Sequence, residues 1–273
     1  MLKSLALVAV ASYAGIAGLL WLSQESMIFL PQPSLGKPTA PRGWSLEAVR
    51  FTARDGTRLA GVLVKPGAAP DVAPDARSPL LIFYGGNAEE VTLSAHGAHL
   101  LGTRALLLVN YRGYGESEGR PSESALVSDA LELYDWAAAR PDVDPARIAL
   151  HGRSLGSGVA VQVAAARAVK CLVLTSPMDS VREVAKSLYP WLPIALLLRH
   201  PFDSAARAPQ LKMPALFLMA GEDRVIATKH SERLASVWGG SVERVTFPGH
   251  DHNDLELNDG YFSAISKFLD AHL

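Results

Sequence analysis

The stretch Ile148-Ala149-Leu150-His151-Gly152-Arg153-Ser154-Leu155-Gly156-Ser157-Gly158-Val159-Ala160 decides how the rest of the chain is read. A short apolar run, the mark of a buried strand, passes into Gly-x-Ser-x-Gly and then into the start of a helix. A serine at such a junction sits on a very tight turn that holds its hydroxyl clear of the backbone. Side chains two before and two after it would clash, so both positions need glycine. The helix N-terminus that follows favours developing negative charge. Ser154 is therefore the candidate nucleophile. The five-residue pattern is weak alone; its place between strand and helix gives it weight.

Outward from this point the chain keeps one rhythm. Apolar runs at Leu80–Tyr84, Ala105–Val109, Ile148–Leu150, Cys171–Thr175, Ala215–Met219 and Val242–Phe247 read as strands. Helical stretches are expected at 88–102, 122–139, 156–167 and 261–273. Continuously apolar strands alternating with helices predict an α/β fold, a mostly parallel sheet covered on both faces. Glu47–Thr52 and Arg58–Lys65 read as two antiparallel strands, with Asp55-Gly56 as the hairpin signal. Residues 66–79 hold four prolines and read as a surface loop. Ligands of such sheets lie at the carboxyl ends of the strands, so chemistry is sought there.

With 273 residues, 49% of them hydrophobic, the chain can build one large core. The net charge of -1 gives no basic surface for nucleic acid. The single cysteine, Cys171, opens an apolar run and reads as a buried thiol. No His/Cys cluster has metal-ligand spacing and no Gly-rich loop ends in Gly-Lys-Ser/Thr, so no metal or other cofactor is expected.

Residues 1–30 stand apart from 31–273. Leu5–Leu22 is apolar except for Ser12 and Tyr13. At about 1.5 Å per helical residue it is just long enough for a bilayer core of about 30 Å. A cleaved signal peptide would have a shorter apolar region, and Ala9-Val10-Ala11 comes too early for its cleavage site. A membrane anchor over 1–30 and a catalytic domain over 31–273 are expected. Lys3 precedes the apolar run and Glu25 follows it. That asymmetry predicts a single-pass protein with its catalytic domain on the non-cytoplasmic side.

Several further motifs accompany the serine: Gln24-Glu25-Ser26-Met27-Ile28-Phe29 with Pro31, Gly86-Asn87-Ala88, Tyr111-Arg112-Gly113-Tyr114-Gly115-Glu116-Ser117-Glu118-Gly119 and His252-Asn253-Asp254. With Gly152–Gly156 they resemble the α/β-hydrolases, and within them membrane-anchored members related to protein depalmitoylases. The resemblance covers most of the chain and is specific to the family, not to a substrate. It implies an α/β-hydrolase fold with a small cap and partners for Ser154 in the order acid, then histidine. The histidine before Asn-Asp is His252; His250 is the alternative. The acid, two residues after Gly221, is Asp223, with Asp179 as the alternative. The oxyanion donors are the backbone N–H groups of Leu155 and Asn87, with Ala88 second to Asn87. The family's His-Gly-Asn is Gly85-Gly86-Asn87 here, a departure that loosens the expected geometry. Arg112 is read as a structural tie between loops. Arg153 is read as meeting either an anionic substrate group or a nearby acid.

The cap falls within 176–214, whose run Leu188–Leu198 is strongly apolar. It reads either as a helix packed on the core or as an acyl-binding or membrane-facing wall. The expected activity is cleavage of acyl esters or thioesters through an acyl-enzyme, with lipid-like or lipidated substrates included. A serine peptidase and an inactive membrane-anchored binding module are the alternatives.

Overall fold

In the computed structural model, which describes residues 1–67 and 77–273, the chain opens with one long helix, α1 (Leu2–Ile28). Two strands follow, β1 (Trp44–Thr52) and β2 (Arg58–Pro66), paired antiparallel from Trp44↔Pro66 to Thr52↔Arg58. Their turn is set by Asp55, whose Oδ1 accepts the Thr57 N–H at 3.0 Å, and by Gly56 at φ 86°. The expected loop over 66–79 falls mainly outside the described residues, and its ends, Pro66 and Ser78–Pro79, belong to strands.

The alternation begins at β3 (Ser78–Tyr84). It continues through a 3₁₀ helix (Val91–Leu101), β4 (Ala105–Val109), α2 (Glu123–Ala138), β5 (Val143–Arg153) and α3 (Leu155–Ala164). After β6 (Leu172–Thr175) come the cap helices α4 (Val181–Leu188) and α5 (Ile194–Leu197). The chain ends with β7 (Ala215–Ala220), α6 (Thr228–Ser236), β8 (Val242–Phe247) and α7 (Asp259–His272). The strands form one sheet in the order β1-β2-β4-β3-β5-β6-β7-β8, parallel from β4 to β8.

Alternate residues of each central strand face opposite layers, so strands buried on both sides must be apolar throughout. Leu80, Ile82, Ile148 and Leu150 join Leu126 of α2 and Val159 of α3 on one face. Leu81, Ala149 and Val173 join Val91 of the 3₁₀ helix and Phe268 of α7 on the other. Cys171 is fully buried in this second layer, where burial pushes its thiol up to about 12. Ser122 caps α2 by accepting the Ala125 N–H, and Ser180 caps α4 by accepting that of Glu183.

Three elements differ from expectation. The 88–102 stretch is a 3₁₀ helix over Val91–Leu101, started by Glu90, whose side chain accepts the Thr92 N–H. β5 reaches back to Val143, paired with Ser78 beyond a register shift. The apolar run 188–198 is not one helix: α4 ends at Leu188, and Pro190 and Pro193 separate it from α5.

Candidate active site

β5 delivers Ser154 between its two neighbours at the carboxyl edge of the sheet: Gly152 pairs with Tyr84 and Leu174, and Arg153 with Thr175. Ser154 adopts φ 51° and ψ -117°, a conformation a non-glycine residue holds only when its surroundings enforce it. The enforcement is visible. Its N–H donates to Thr175 O at 2.9 Å, and its carbonyl accepts the Ser157 hydroxyl at 2.6 Å. A Cβ at Gly152 would lie 2.5 Å from Gly156 O, and one at Gly156 would lie 2.0 Å from Tyr84 O. Both glycines are sterically required.

Ser154 Oγ lies 2.9 Å from His252 Nε2, and His252 Nδ1 lies 2.8 Å from Asp223 Oδ2. The imidazole is buried, and the Asp223 side chain is only 2% exposed. Asp223 Oδ1 accepts the N–H groups of Val225 and Ile226 at 2.9 and 2.7 Å, so each carboxylate oxygen has a fixed task. The three residues expected to act together thus form one hydrogen-bonded chain. The alternatives lie elsewhere. His250 bonds to Asp254 and Asn258, and Asp179 bonds to His230 Nδ1 at 2.9 Å. Glu222 points into solvent.

Asn87 lies on the loop after β3, and Leu155 opens α3 directly after the serine. A Cβ at Gly86 would come within 3.7 Å of Ser154 Cβ, so this loop runs beside the serine. Among the described residues, neither the Asn87 nor the Leu155 N–H has an acceptor. The loop is firmly held despite its extra glycine. Gly85 O accepts the Tyr111 hydroxyl at 3.0 Å, and Asn87 O accepts the Tyr114 hydroxyl at 2.6 Å. Asn87 O also accepts the Leu30 N–H at 2.9 Å. A Cβ at Gly85 would sit 2.5 Å from Val91 Cγ1, so glycine belongs there.

Sequence reasoning missed two groups. Glu89 Oε2 accepts the Gly86 N–H at 2.8 Å and lies 3.6 Å from Arg153 Nη1, which gives Arg153 its partner. Burial raises the Glu89 carboxyl above its ordinary range, against the pull of Arg153. Asp251 joins the turns that carry the other two residues. Its Oδ1 accepts the N–H groups of His252 and Arg224, at 2.8 and 2.9 Å, and its Oδ2 accepts Arg224 Nε–H at 2.6 Å. Those bonds lower its carboxyl to about 2. The only signal for Asp251 was its place beside His252. Arg112, expected to tie loops, joins its loop to the β1–β2 turn through Asp55 and to helix α2 through Asp129.

Comparison with known proteins gives a consistent picture. The model of the dienelactone hydrolase family matches residues 115–256. An uncharacterized protein of Mycobacterium tuberculosis is 36% identical over 264 residues, 94% of this chain and 90% of that protein. The alpha/beta hydrolase domain-containing protein WAV2 of Arabidopsis thaliana is 28% identical over 95% of this chain and 91% of its own. Among solved structures, an acetyl xylan esterase from Paenibacillus sp. R4 superposes with a TM-score of 0.70 at 19% identity, over 93% of this chain and 94% of that one. An esterase of Pyrococcus furiosus gives a TM-score of 0.66 at 17% identity, over 89% and 97% of the two chains.

Proposed function

This chain belongs to the dienelactone hydrolase family of the α/β-hydrolases, and we propose that it is a serine hydrolase that cleaves acyl esters or thioesters through an acyl-enzyme. One observation carries the reading: the unbroken path from Ser154 Oγ through the buried His252 ring to Asp223. His252 Nε2 takes the hydroxyl proton as Ser154 Oγ bonds to the acyl carbon. The carbonyl oxygen becomes an oxyanion received by the N–H groups of Leu155 and Asn87. Collapse breaks the bond to the leaving group, which departs with the proton from His252. Water then gives a proton to His252 and its oxygen to the acyl carbon; the acid leaves and Ser154 regains its proton. Asp223 orients the imidazole and stabilises its charged form without being protonated.

In the same reading α1 is a retained membrane anchor and 31–273 the catalytic domain, on the non-cytoplasmic side. Support comes from the helix itself, 27 residues long with an apolar window none of which is buried against the protein. Buried Gln24 adds to it, since both ends of its amide are bound to backbone of the cap: Nε2 donates to Leu197 O at 3.1 Å and Oε1 accepts the Arg199 N–H at 2.7 Å. Such contacts suit a helix that stays with the mature protein. Acyl substrates of substantial length, lipid-like or lipidated, fit a domain held at a bilayer.

The decisive test is labelling by a fluorophosphonate probe. Wild type is expected to label and Ser154→Ala not to; labelling that survives the substitution overturns the assignment. Turnover of a p-nitrophenyl ester series from acetyl to octanoyl tests the substrate class. A steep fall with chain length removes the long-acyl reading and leaves the esterase reading in place.

A further inference from the structure

The longest helix of the protein and its cap touch at two depths. Near the end of α1, Trp21 and Glu25 meet Arg199 of the cap: the guanidinium lies 5.0 Å over the Trp21 ring and 3.3 Å from the Glu25 carboxylate. A tryptophan beside an ion pair at the end of an apolar run is the composition of a bilayer–water interface. Eight residues earlier, the Tyr13 hydroxyl donates to Trp191 O at 3.1 Å, and the two rings pack edge to face at 6.1 Å. Eight helical residues are about 12 Å. A bilayer leaflet contributes about 15 Å of hydrocarbon, half of the full core. Trp191, in the turn Tyr189–Pro193, therefore lies about 12 Å below the level of Trp21, beside the middle of α1.

The residues around that turn match such a depth. Leu188, Trp191 and Leu196 are 59%, 51% and 85% exposed, the large apolar side chains that the cap leaves uncovered. Between the cap and the Leu20–Ile28 part of α1 runs a groove of about 260 Å³, lined by side chains such as Leu20, Met27, Val184, Leu188, Leu192 and Leu198. The Tyr13 hydroxyl at this level is satisfied within the protein, as a medium without water requires, and so is the Gln24 amide nearer the surface. Tyr13 is closed by a cap carbonyl and Gln24 by cap backbone at both ends.

We propose that the cap is a membrane-contact surface: its Tyr189–Pro193 turn, with Leu188, Trp191 and Leu196, is immersed among the acyl chains of the leaflet on the catalytic-domain side. The occupant of the groove, which rises from the Trp21 level to Ile28, is an acyl tail drawn out of that leaflet. The groove ends at Met27 and Ile28, and Leu30, two residues on, bonds to Asn87 O beside the serine. Acyl substrates then reach Ser154 from the lipid side. This rests on the reading of α1 as a retained membrane helix.

The test uses the full chain in phosphatidylcholine vesicles, with an environment-sensitive fluorophore on Leu196→Cys. The fully buried Cys171 does not compete for the label. A second variant, Ala146→Cys, carries the dye at the exposed amino end of β5, away from the cap. The Leu196 probe is expected to shift to the blue, to lose emission to nitroxide-labelled lipid and to resist aqueous iodide. The Ala146 probe is expected to behave in reverse. If the protein floats with the vesicles but iodide quenches the Leu196 probe and lipid nitroxide does not, cap immersion is wrong and the anchor stands. If the protein does not float, both fail.

Discussion

Among the described residues there are two Ser–His–Asp chains of hydrogen bonds, and one of them has the surroundings of an active site. In the first, Ser154, His252 and Asp223 are joined at 2.9 and 2.8 Å. In the second, Ser187 Oγ lies 3.3 Å from His230 Nε2, and His230 Nδ1 lies 2.9 Å from Asp179 Oδ1. His230 and Asp179 are as buried as their counterparts. What differs is around the serines. Ser154 is held at positive φ at the start of α3, beside amides without acceptors. Ser187 is exposed in the last turn of α4, the carbonyl end, where an oxyanion is repelled. Asp179 also has Arg233 3.4 Å from its second oxygen, whereas Asp223 uses that capacity on the Val225 and Ile226 amides. The second chain reads as a brace joining α4, α6 and the segment after β6. Distances alone do not tell the two sets apart; the backbone strain at Ser154 and the amides beside it do, and they are what favours the first set in the proposed function.

The sharpest way to break this contrast is to remove each serine in turn. Ser154→Ala is expected to lower turnover of a p-nitrophenyl ester by at least about 10⁴-fold. Ser187→Ala is expected to leave turnover and fluorophosphonate labelling unchanged. Loss of labelling in Ser187→Ala would exchange the roles of the two sites.

The acids come next. Asp223→Asn keeps the shape but frees the imidazole to take the wrong tautomer, and kcat is expected to fall about 10⁴-fold. Asp179→Asn should act on stability instead. It leaves the buried His230 with a weakened partner, at a cost of about 1–3 kcal/mol. For a chain of this size that is a fall in Tm of about 3–10 °C, read by calorimetry, with kcat retained. A larger kcat loss in Asp179→Asn than in Asp223→Asn would refute the division of labour.

Much of the first chain was legible in the sequence, and almost none of the second. Ser154 announces itself because the tight turn demands glycines at fixed offsets; periodicity locates the strand ends after which the partners must lie, and the family resemblance picks His252 and Asp223 there over His250 and Asp179. His230 sits inside α6, with no local pattern to mark it, and meets Asp179 only because β6 and β7 are neighbours in the sheet. Glu89 was hidden for the same reason: its partners, Gly86 and Arg153, come from two different strand ends. The split of the cap run was foreshadowed by Pro190 and Pro193, but its apolar composition outweighed them.

A finer difference lies in how each histidine is tied to the segment that carries its acid. Asp251 bridges the turns of His252 and Arg224 with a carboxylate, whereas in the second chain the tie is the Ser231 hydroxyl of α6, which donates to Pro177 O at 2.5 Å. Asp251→Asn weakens the clamp, and kcat is expected to fall about tenfold to a hundredfold through misplacement of His252. The sign of its pH dependence is fixed. Its folded carboxyl is lowered to about 2, from 3.8, so its contribution to stability is present above that ordinary value and is lost as pH falls through about 2. An acid limb of the rate profile with its midpoint well above about 2 therefore belongs to another group. Wild type and Asp251→Asn should share that midpoint and differ in plateau.

The smallest effect is the most informative about the second chain. If Ser187 only caps the brace, its hydroxyl is one exposed hydrogen bond at 3.3 Å, near the long end of the useful range. Such a bond contributes at most about 1 kcal/mol. Ser187→Ala is then expected to lower Tm by no more than about 4 °C, less than Asp179→Asn, because the His230–Asp179 bond inside the protein survives. A Tm loss in Ser187→Ala equal to that of Asp179→Asn would mean that the three groups form one cooperative unit. The resemblance between the two chains would then extend to energetics, and the surroundings of the serine alone would distinguish them.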